Sequence, residues 1–312
     1  MKILVHHDGA LGDMLLSVPC LLAIKAESGL VHLVGRGDVV RFLKQTGVAD
    51  EASSSDQAFF STLYAAPDQR MQNFLSVFDS AFIFATGEES PPFGAIRSII
   101  PRTRLIRTIP PLGTEVHAAA YRLSQLESGT AAACPKNILN VPIPEIDAAQ
   151  SALVRAGHRE GMPVLSLHPG SGGIAKCWPL ERYFELVRRL QEDLDIFGVL
   201  FTGEAEREGI GDSVSRYASK RNNVLHWTDR ELLSAAALLR CCGFYIGNDS
   251  GFSHLAGLLG CSAIVLFGPT DPSIWKPLGR HVQVVSTSDH GPLSAIGVDE
   301  VVLRVQQTLG LS

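Results

Sequence analysis

The sequence predicts an α/β protein built from two parallel-sheet domains, and three observations carry that reading. The chain has 312 residues, about two domains at roughly 150 residues each. Short aliphatic and β-branched runs alternate with amphipathic stretches, the pattern of parallel strands joined by crossover helices. The alternation pauses once, over Ser128–Pro144, where Ala, Pro and small polar residues gather and Pro135, Pro142 and Pro144 break any regular element. The boundary falls there, giving domains of residues 1–140 and 141–312.

In the first domain the apolar runs predict strands at Ile3–His6, Val31–Val34, Phe78–Phe84 and Arg104–Thr108. Amphipathic stretches between them predict helices over Gly12–Ala26, Val39–Thr46 and Thr114–Leu126. The second domain restarts the pattern with strands at Val164–His168, Ile196–Thr202, Val224–His226, Gly243–Ile246, Ala263–Phe267 and Val282–Val285. Helices fill the gaps at Leu180–Asp193, Ala205–Ser219, Arg230–Cys241 and Ser250–Leu259. A last amphipathic stretch, Val298–Leu309, is a helix able to pack back on the first domain. There is no low-complexity tract and no short repeat, but two similar α/β units follow one another, and the cleft between them is the natural place for a ligand.

Apolar residues make up 46% of the chain, enough for a core in each domain, while a net charge of −5 argues against nucleic acid as the main partner. No apolar run reaches the roughly 18 residues of a membrane-spanning helix; Leu11–Ile24 comes nearest and is interrupted by Asp13 and Pro19. His6, His7 and Asp8 are out of place in a signal peptide. The six cysteines, Cys20, Cys134, Cys177, Cys241, Cys242 and Cys261, form no CxxC pair and no zinc-like spacing. They fit reduced, mostly buried thiols of a cytoplasmic protein.

Three turns carry chemistry. Asp8-Gly9-Ala10-Leu11-Gly12-Asp13 follows the first strand, and Asp13 falls in the first helical turn. Asp13 is either a helix cap, worth about 1 kcal/mol, or a general base at the mouth of the sheet. The spacing is not GxGxxG. The second turn, His168-Pro169-Gly170-Ser171-Gly172-Gly173-Ile174-Ala175-Lys176-Cys177-Trp178-Pro179, sets three glycines and Lys176 over a sheet edge, suited to an anion. It is neither a P-loop nor a hydrolase elbow.

The third turn is Asn248-Asp249-Ser250-Gly251-Phe252-Ser253-His254, between two apolar runs. Unpaired backbone N–H groups at the start of the following helix suit a phosphate. Asp249, Ser250 and His254 lie too close in sequence for a hydrolase triad. His6, His7 and Asp8 make a poor metal site, because neighbouring strand residues point to opposite faces. Arg97, Arg102, Arg104 and Arg107 crowd a stretch with no acidic residue. They are either a solvated face or, with Gly12, contacts for an anionic acceptor, of which Arg97 and Arg102 are the named candidates.

Taken in order, the motifs resemble glycosyltransferase family 9, the ADP-heptose:lipopolysaccharide heptosyltransferase group of GT-B fold. The matching pieces are Gly9-Ala10-Leu11-Gly12-Asp13 with Pro19, then Lys176-Cys177-Trp178-Pro179 and Thr202-Gly203-Glu204-Ala205-Glu206. Asn248-Asp249-Ser250-Gly251 with His254-Leu255-Ala256 follows, and Leu266-Phe267-Gly268-Pro269-Thr270-Asp271-Pro272 closes the set. The resemblance implies two Rossmann-like domains about an interdomain cleft, residues 1–140 forming the acceptor domain and residues 141–312 the nucleotide-sugar donor domain. It implies an inverting, metal-independent transfer of a heptose, or related sugar, from an ADP-sugar to a hydroxyl of a lipopolysaccharide core or similar glycan. No cofactor is expected.

By the same resemblance Asp13 is the base and Lys176 balances charge on the leaving diphosphate. Ser171, Ser250, Gly251 and Phe252 hold the donor, with Asp249 and His254 shaping the turn and Glu206 near the ribose. The protein is expected in the cytoplasm, with at most peripheral contact at the inner face of the inner membrane. His6 and His7 stand where the family usually has a basic residue, Phe252 follows the Asp-Ser-Gly turn, and Gly257 replaces a commoner alanine. Two other readings are a nucleotide-sugar-binding module without transfer activity and a GT-B sugar-nucleotide epimerase.

Overall fold

A computed structural model describes residues 1–27, 29–127, 139–203, 207–228 and 231–310. The chain divides into two compact units, Met1–Asn140 and Val141–Ser312. The first unit runs β1 (Lys2–His7), α1 (Leu11–Leu16), α2 (Val18–Glu27), β2 (Leu30–Gly35), α3 (Gly37–Gln45), β3 (Glu51–Ser54), a 3-10 turn over Ala58–Tyr64, α4 (Gln69–Leu75), β4 (Ser80–Ala85), α5 (Pro91–Arg97), β5 (Thr103–Arg107) and α6 (Ala118–Ser124). Its five strands are all parallel in the order β3-β2-β1-β4-β5.

The second unit runs α7 (Ile143–Arg155), β6 (Val164–His168), α8 (Leu180–Asp193), β7 (Phe197–Phe201), a π-turn over Arg207–Gly211, α9 (Asp212–Ala218), β8 (Val224–Trp227), α10 (Leu232–Cys242), β9 (Gly243–Asn248), α11 (Gly251–Leu258), β10 (Ser262–Phe267), α12 (Pro272–Trp275), β11 (Val282–Ser286) and α13 (Val298–Leu309). Its strands are also parallel, in the order β11-β10-β9-β6-β7-β8. Each strand order reverses direction once, between β1 and β4 and between β6 and β9. In open parallel sheets ligands bind at the carboxyl ends of the strands beside such a reversal. The Asp8–Asp13 turn follows β1, and the 169–178 and 249–250 turns follow β6 and β9.

The elements differ from the sequence expectation where polar or proline residues carry the structure. The helix expected over Gly12–Ala26 is divided at Ser17, since Pro19 has no N–H to donate to the Leu15 carbonyl. Pro142 and Pro144 do not break structure; they open α7, whose first turn needs no backbone donors. β3 is a polar edge strand, Glu-Ala-Ser-Ser, without an apolar signal. Helix α13 turns Val301, Val302 and Val305 into the second unit's own core, beside Trp178, Leu186 and Leu190 on the α8 side. In the first unit Phe60, Leu63, Met71, Phe78, Phe93 and Ile96 fill the core beside β4. Among the described residues no helix is long and apolar enough to cross a membrane.

Gly257 has a packing reason. A Cβ there would lie 2.1 Å from the Leu278 carbonyl oxygen, because α11 rests directly on the backbone that precedes β11. Gly279 opposite it has φ +154°, within reach only of glycine without strain. Gly257→Ala is therefore expected to destabilise the protein by about 1–3 kcal/mol through overpacking against backbone. Urea unfolding followed by circular dichroism measures this, and an unchanged midpoint would contradict it.

Candidate functional site

In the second unit the site is built around one buried side chain. Asn248, at the end of β9, is fully buried. Its Oδ1 accepts from the Trp178 backbone N–H at 3.0 Å and from the Tyr183 hydroxyl at 2.9 Å. Its Nδ2 donates to the carbonyls of Pro169 (2.8 Å) and Gly170 (3.3 Å). The stretch after β6 is thereby fastened along the end of β9, which brings Lys176 to the start of α11. The Lys176 Nζ donates to Asp249 Oδ2 at 2.9 Å, and the Thr270 hydroxyl donates to the same oxygen at 2.7 Å. Ser171 Oγ donates to the Asp249 carbonyl at 2.7 Å.

The Asp249 side chain is 8% exposed and that of Lys176 37%. The carboxylate is thus a buried anchor, and the ammonium it holds reaches the surface. Ser250 caps α11, its side chain accepting from the Ser253 N–H. The Gly251 and Phe252 amides, in the first turn, have no carbonyl partner within the helix. Phe252 lies flat on His168, with ring centroids 4.7 Å apart, and against Phe201 at 4.9 Å. His254 is buried behind this turn. The Tyr245 ring folds across Gly247, where a Cβ would meet its hydroxyl at 2.0 Å, and so reaches Ser253 Oγ at 3.0 Å. Lys176, Ser171, Asp249, Ser250, Gly251 and Phe252 therefore form one cluster. Glu206 lies outside the described residues.

In the first unit Asp13 occupies the first turn of α1 with its side chain 45% exposed. It is oriented by a residue that the sequence reading passed over. Arg122 on α6 is fully buried. Its Nη2 lies 3.2 Å from Asp13 Oδ1, and its Nη1 donates to the Asp13 carbonyl and, at 2.8 Å, to Ser17 Oγ. Its Nε donates to the Thr108 carbonyl at 3.0 Å. The signal available was a lone arginine among Ala118, Ala119, Ala120 and Leu123, an expensive placement unless a partner pays it back.

Strand alternation sends the two histidines of β1 to different faces. His7 accepts from the Gly9 N–H through Nδ1 (3.1 Å), so the neutral ring carries its proton on Nε2 and donates to Ser17 Oγ at 2.9 Å. Ser17 in turn donates to the Asp13 carbonyl at 3.0 Å. Gly9 is confined between them: a Cβ would lie 2.5 Å from His7 Cε1 and 2.8 Å from Asp13 Cβ. His6 points the other way, its Nε2 3.2 Å from Asp8 Oδ2. Gly12 sits in the first turn of α1 beside Asp13. Arg97 ends α5 over the Phe93 ring, and Arg102 precedes β5. Both therefore lie at the amino ends of the strands, the edge opposite Asp13.

Burial, reinforced by Arg122 and then by His6, lowers the His7 imidazole to about 3. The unfolded chain takes up that proton near 6.5, the folded chain only near 3. Stability from His7 is thus complete above pH 6.5 and is lost as pH falls from 6.5 toward 3. Urea titrations from pH 7 to pH 4.5 should show a shallower acid decline for His7→Gln than for wild type, and parallel declines would contradict the assignment.

The model of glycosyltransferase family 9 (heptosyltransferase) matches residues 114–296. A stretch of 129 residues is 28% identical to lipopolysaccharide heptosyltransferase 2 of Escherichia coli K12, covering 39% of this chain and 36% of that protein. The chain thus spans little more than a third of the length of that curated relative. Among solved structures, a glycosyltransferase of family 9 from Veillonella parvula superposes with a TM-score of 0.83 at 19% identity, over 100% of this chain and 98% of that one. The E. coli ADP-heptose lipopolysaccharide heptosyltransferase II gives 0.78 at 18%, over 99% and 98%. At such identities these superpositions show a shared fold, GT-B with two α/β sheets.

Proposed function

The chain belongs to glycosyltransferase family 9, and from that membership we propose that it transfers a heptose from ADP-heptose to a hydroxyl of a lipopolysaccharide core acceptor. The observation that carries the proposal is the cluster at the start of α11, where Lys176 is held on Asp249 beside the first-turn amides. A helix start with an attached ammonium favours a diphosphate both through N–H donation and through charge. Ser171 and Ser250 add hydroxyls, and Asp249 acts by positioning Lys176 rather than by touching an anion itself. Glu206 is kept as the proposed ribose contact.

In the proposed reaction the acceptor oxygen bonds to the anomeric carbon as the bond from that carbon to the diphosphate oxygen breaks, inverting the centre. The hydroxyl proton passes to the Asp13 carboxylate, and the electron pair of the broken bond leaves with ADP. Arg122 takes one carboxylate oxygen of Asp13 and fixes the backbone beneath it, so the base is aimed without spending its second oxygen. Lys176 and the α11 amides meet the negative charge that grows on the leaving group, usually a large catalytic contribution. This scheme routes no step through a metal. The acceptor's lipid anchor would place the reaction at the cytoplasmic face of the inner membrane.

Lys176→Ala should lower kcat by about 10²–10³-fold, or about 2.7–4 kcal/mol of barrier. Asp13→Asn should lower it by about 10²–10⁴-fold while ADP affinity is kept. ADP release from ADP-heptose with a core acceptor measures both, and full activity in Asp13→Asn would remove Asp13 as the base.

A further inference from the structure

The edge strand β3, Glu-Ala-Ser-Ser, has no apolar side chain beyond Ala52, and none of its residues enters the transfer chemistry. Two of them meet a buried histidine on the neighbouring strand. His32 of β2 stands opposite Glu51 in the parallel register. Its Nδ1 lies 2.9 Å from Glu51 Oε2, and its Nε2 lies 2.8 Å from Ser53 Oγ. A carboxylate on one ring nitrogen and a hydroxyl on the other is the arrangement that activates serine nucleophiles. We propose that Ser53, His32 and Glu51 form a second reactive centre, in which Ser53 takes acyl groups from small activated esters. The centre is independent of sugar transfer, which uses none of the three.

The hydrogen bonds have one consistent sense. The bond from His32 first, with Lys2 Nζ 3.7 Å away adding its charge, holds the Glu51 carboxyl below its usual range against slight burial. An ionised Glu51 can only accept, so Nδ1 carries the ring proton and Nε2 offers its lone pair to the Ser53 hydroxyl. The His32 side chain is 11% exposed. Burial outweighs Glu51 and, joined by Lys2 and Lys44, lowers the imidazole below its ordinary value, so the ring is an uncharged base at physiological pH. Phe74 and Phe78 cross it at near right angles, with centroids 5.4 and 5.6 Å away, and keep its nitrogens aimed. Unlike the residues at the start of α11, these three come from two strands, and strand pairing sets their geometry.

The surroundings fit an ester. β3 ends the sheet, so one side of its backbone faces no other strand. The Ser55 N–H donates inward to the Gly35 carbonyl at 2.7 Å, and along a parallel ladder one amide in two bonds inward. The Ser54 N–H is thereby turned outward, and the amide that follows the nucleophile is one that hydrolases use to hold an oxyanion. Ser53 is only partly buried. So are Phe74, against the His32 ring, and Phe59, 5.6 Å from Phe74. Their exposed surface is flat and apolar, which suits an aryl or short acyl ester.

In the reaction Ser53 Oγ bonds to the ester carbonyl carbon as its proton passes to His32 Nε2. The oxyanion then collapses, the bond to the leaving oxygen breaks with its electron pair, and His32 gives that oxygen the proton. Water cleaves the acyl-serine by the same two steps. Glu51 touches no substrate; it is a positioning residue that keeps the proton on Nδ1.

The test treats the full chain with a fluorophosphonate probe, which phosphonylates activated serines with loss of fluoride, and with p-nitrophenyl acetate. Mass spectrometry should place the phosphonyl group on Ser53, and Ser53→Ala should reduce nitrophenolate release to background. His32→Gln, checked for a wild-type melting temperature, should slow labelling about 10²-fold. The labelling rate should rise to a plateau with a midpoint below pH 6.5, where an ordinary hydroxyl would react ever faster with rising pH. The exposed Glu51→Gln should slow labelling about tenfold and move that midpoint lower still. Labelling no faster than at bystander serines, a rate without a plateau, or unchanged labelling in folded His32→Gln or Glu51→Gln would overturn the proposal. ADP release from ADP-heptose should be the same in Ser53→Ala as in wild type, and its loss would mean that Ser53 serves the transfer site instead.

Discussion

The carboxamide of Asn248 is the interaction on which the second unit's site depends. It is one of few side chains that can accept twice and donate twice, and here both functions are spent on the stretch that follows β6. An aspartate would set a carboxylate against the carbonyls of Pro169 and Gly170, and a leucine would strand four buried partners. The lysine two residues before Trp178 inherits its position from that fastening. Lys176 is thus no free loop cation. Its placement is decided by a neutral group with no direct part in the proposed chemistry, and Asp249 adds only the last contact.

The first unit meets the same need, tying a turn at the carboxyl end of a parallel strand, with a charge instead of an amide. A buried guanidinium is costly unless its donors are met, and Arg122 meets them with two carbonyls, a hydroxyl and a carboxylate oxygen. The difference suits the two proposed tasks. An anion-holding turn must keep its own cation available, so a neutral fastener is preferable there. A base must be aimed, and a fixed guanidinium behind it serves that end. That Asp13 remains partly exposed while its partner is sealed off fits this division.

Much of the fold was legible because parallel strands buried on both faces read as aliphatic runs; β1, β2, β6, β7, β9 and β10 announce themselves so. β3 was not, since an edge strand paired on one side needs no apolar sequence, and neither were α4 and α5, each of seven residues. The prolines around α7 misled for a different reason: the residue that ends one helix can open another. At the site, the turns that carry Lys176 and Asp249-Ser250 each read as suited to an anion from turn chemistry, and the family resemblance joined them. Arg122 could not be placed, because its partners are backbone carbonyls from distant segments, and carbonyls leave no mark in a sequence. Nor could the opposite edges taken by Arg97 and Asp13 be seen before strand directions were known.

The paired histidines of β1 show how a departure from family pattern is absorbed. Strand alternation separates them: His6 goes to Asp8, His7 to Ser17 behind the base. Only one positive charge can be accommodated behind Asp13, and Arg122 supplies it from α6. Burial first, and then the guanidinium that a second cation at position 7 would face, drive the imidazole there neutral. Neutrality then fixes the ring's tautomer, the tautomer makes Ser17 an acceptor from both His7 and Arg122, and Ser17's own proton is left to the Asp13 carbonyl. The base is therefore held by a chain of directed hydrogen bonds, and a proton taken up by His7 would leave Nε2 donating to Ser17 but set an Nδ1–H against the Gly9 N–H, breaking that link.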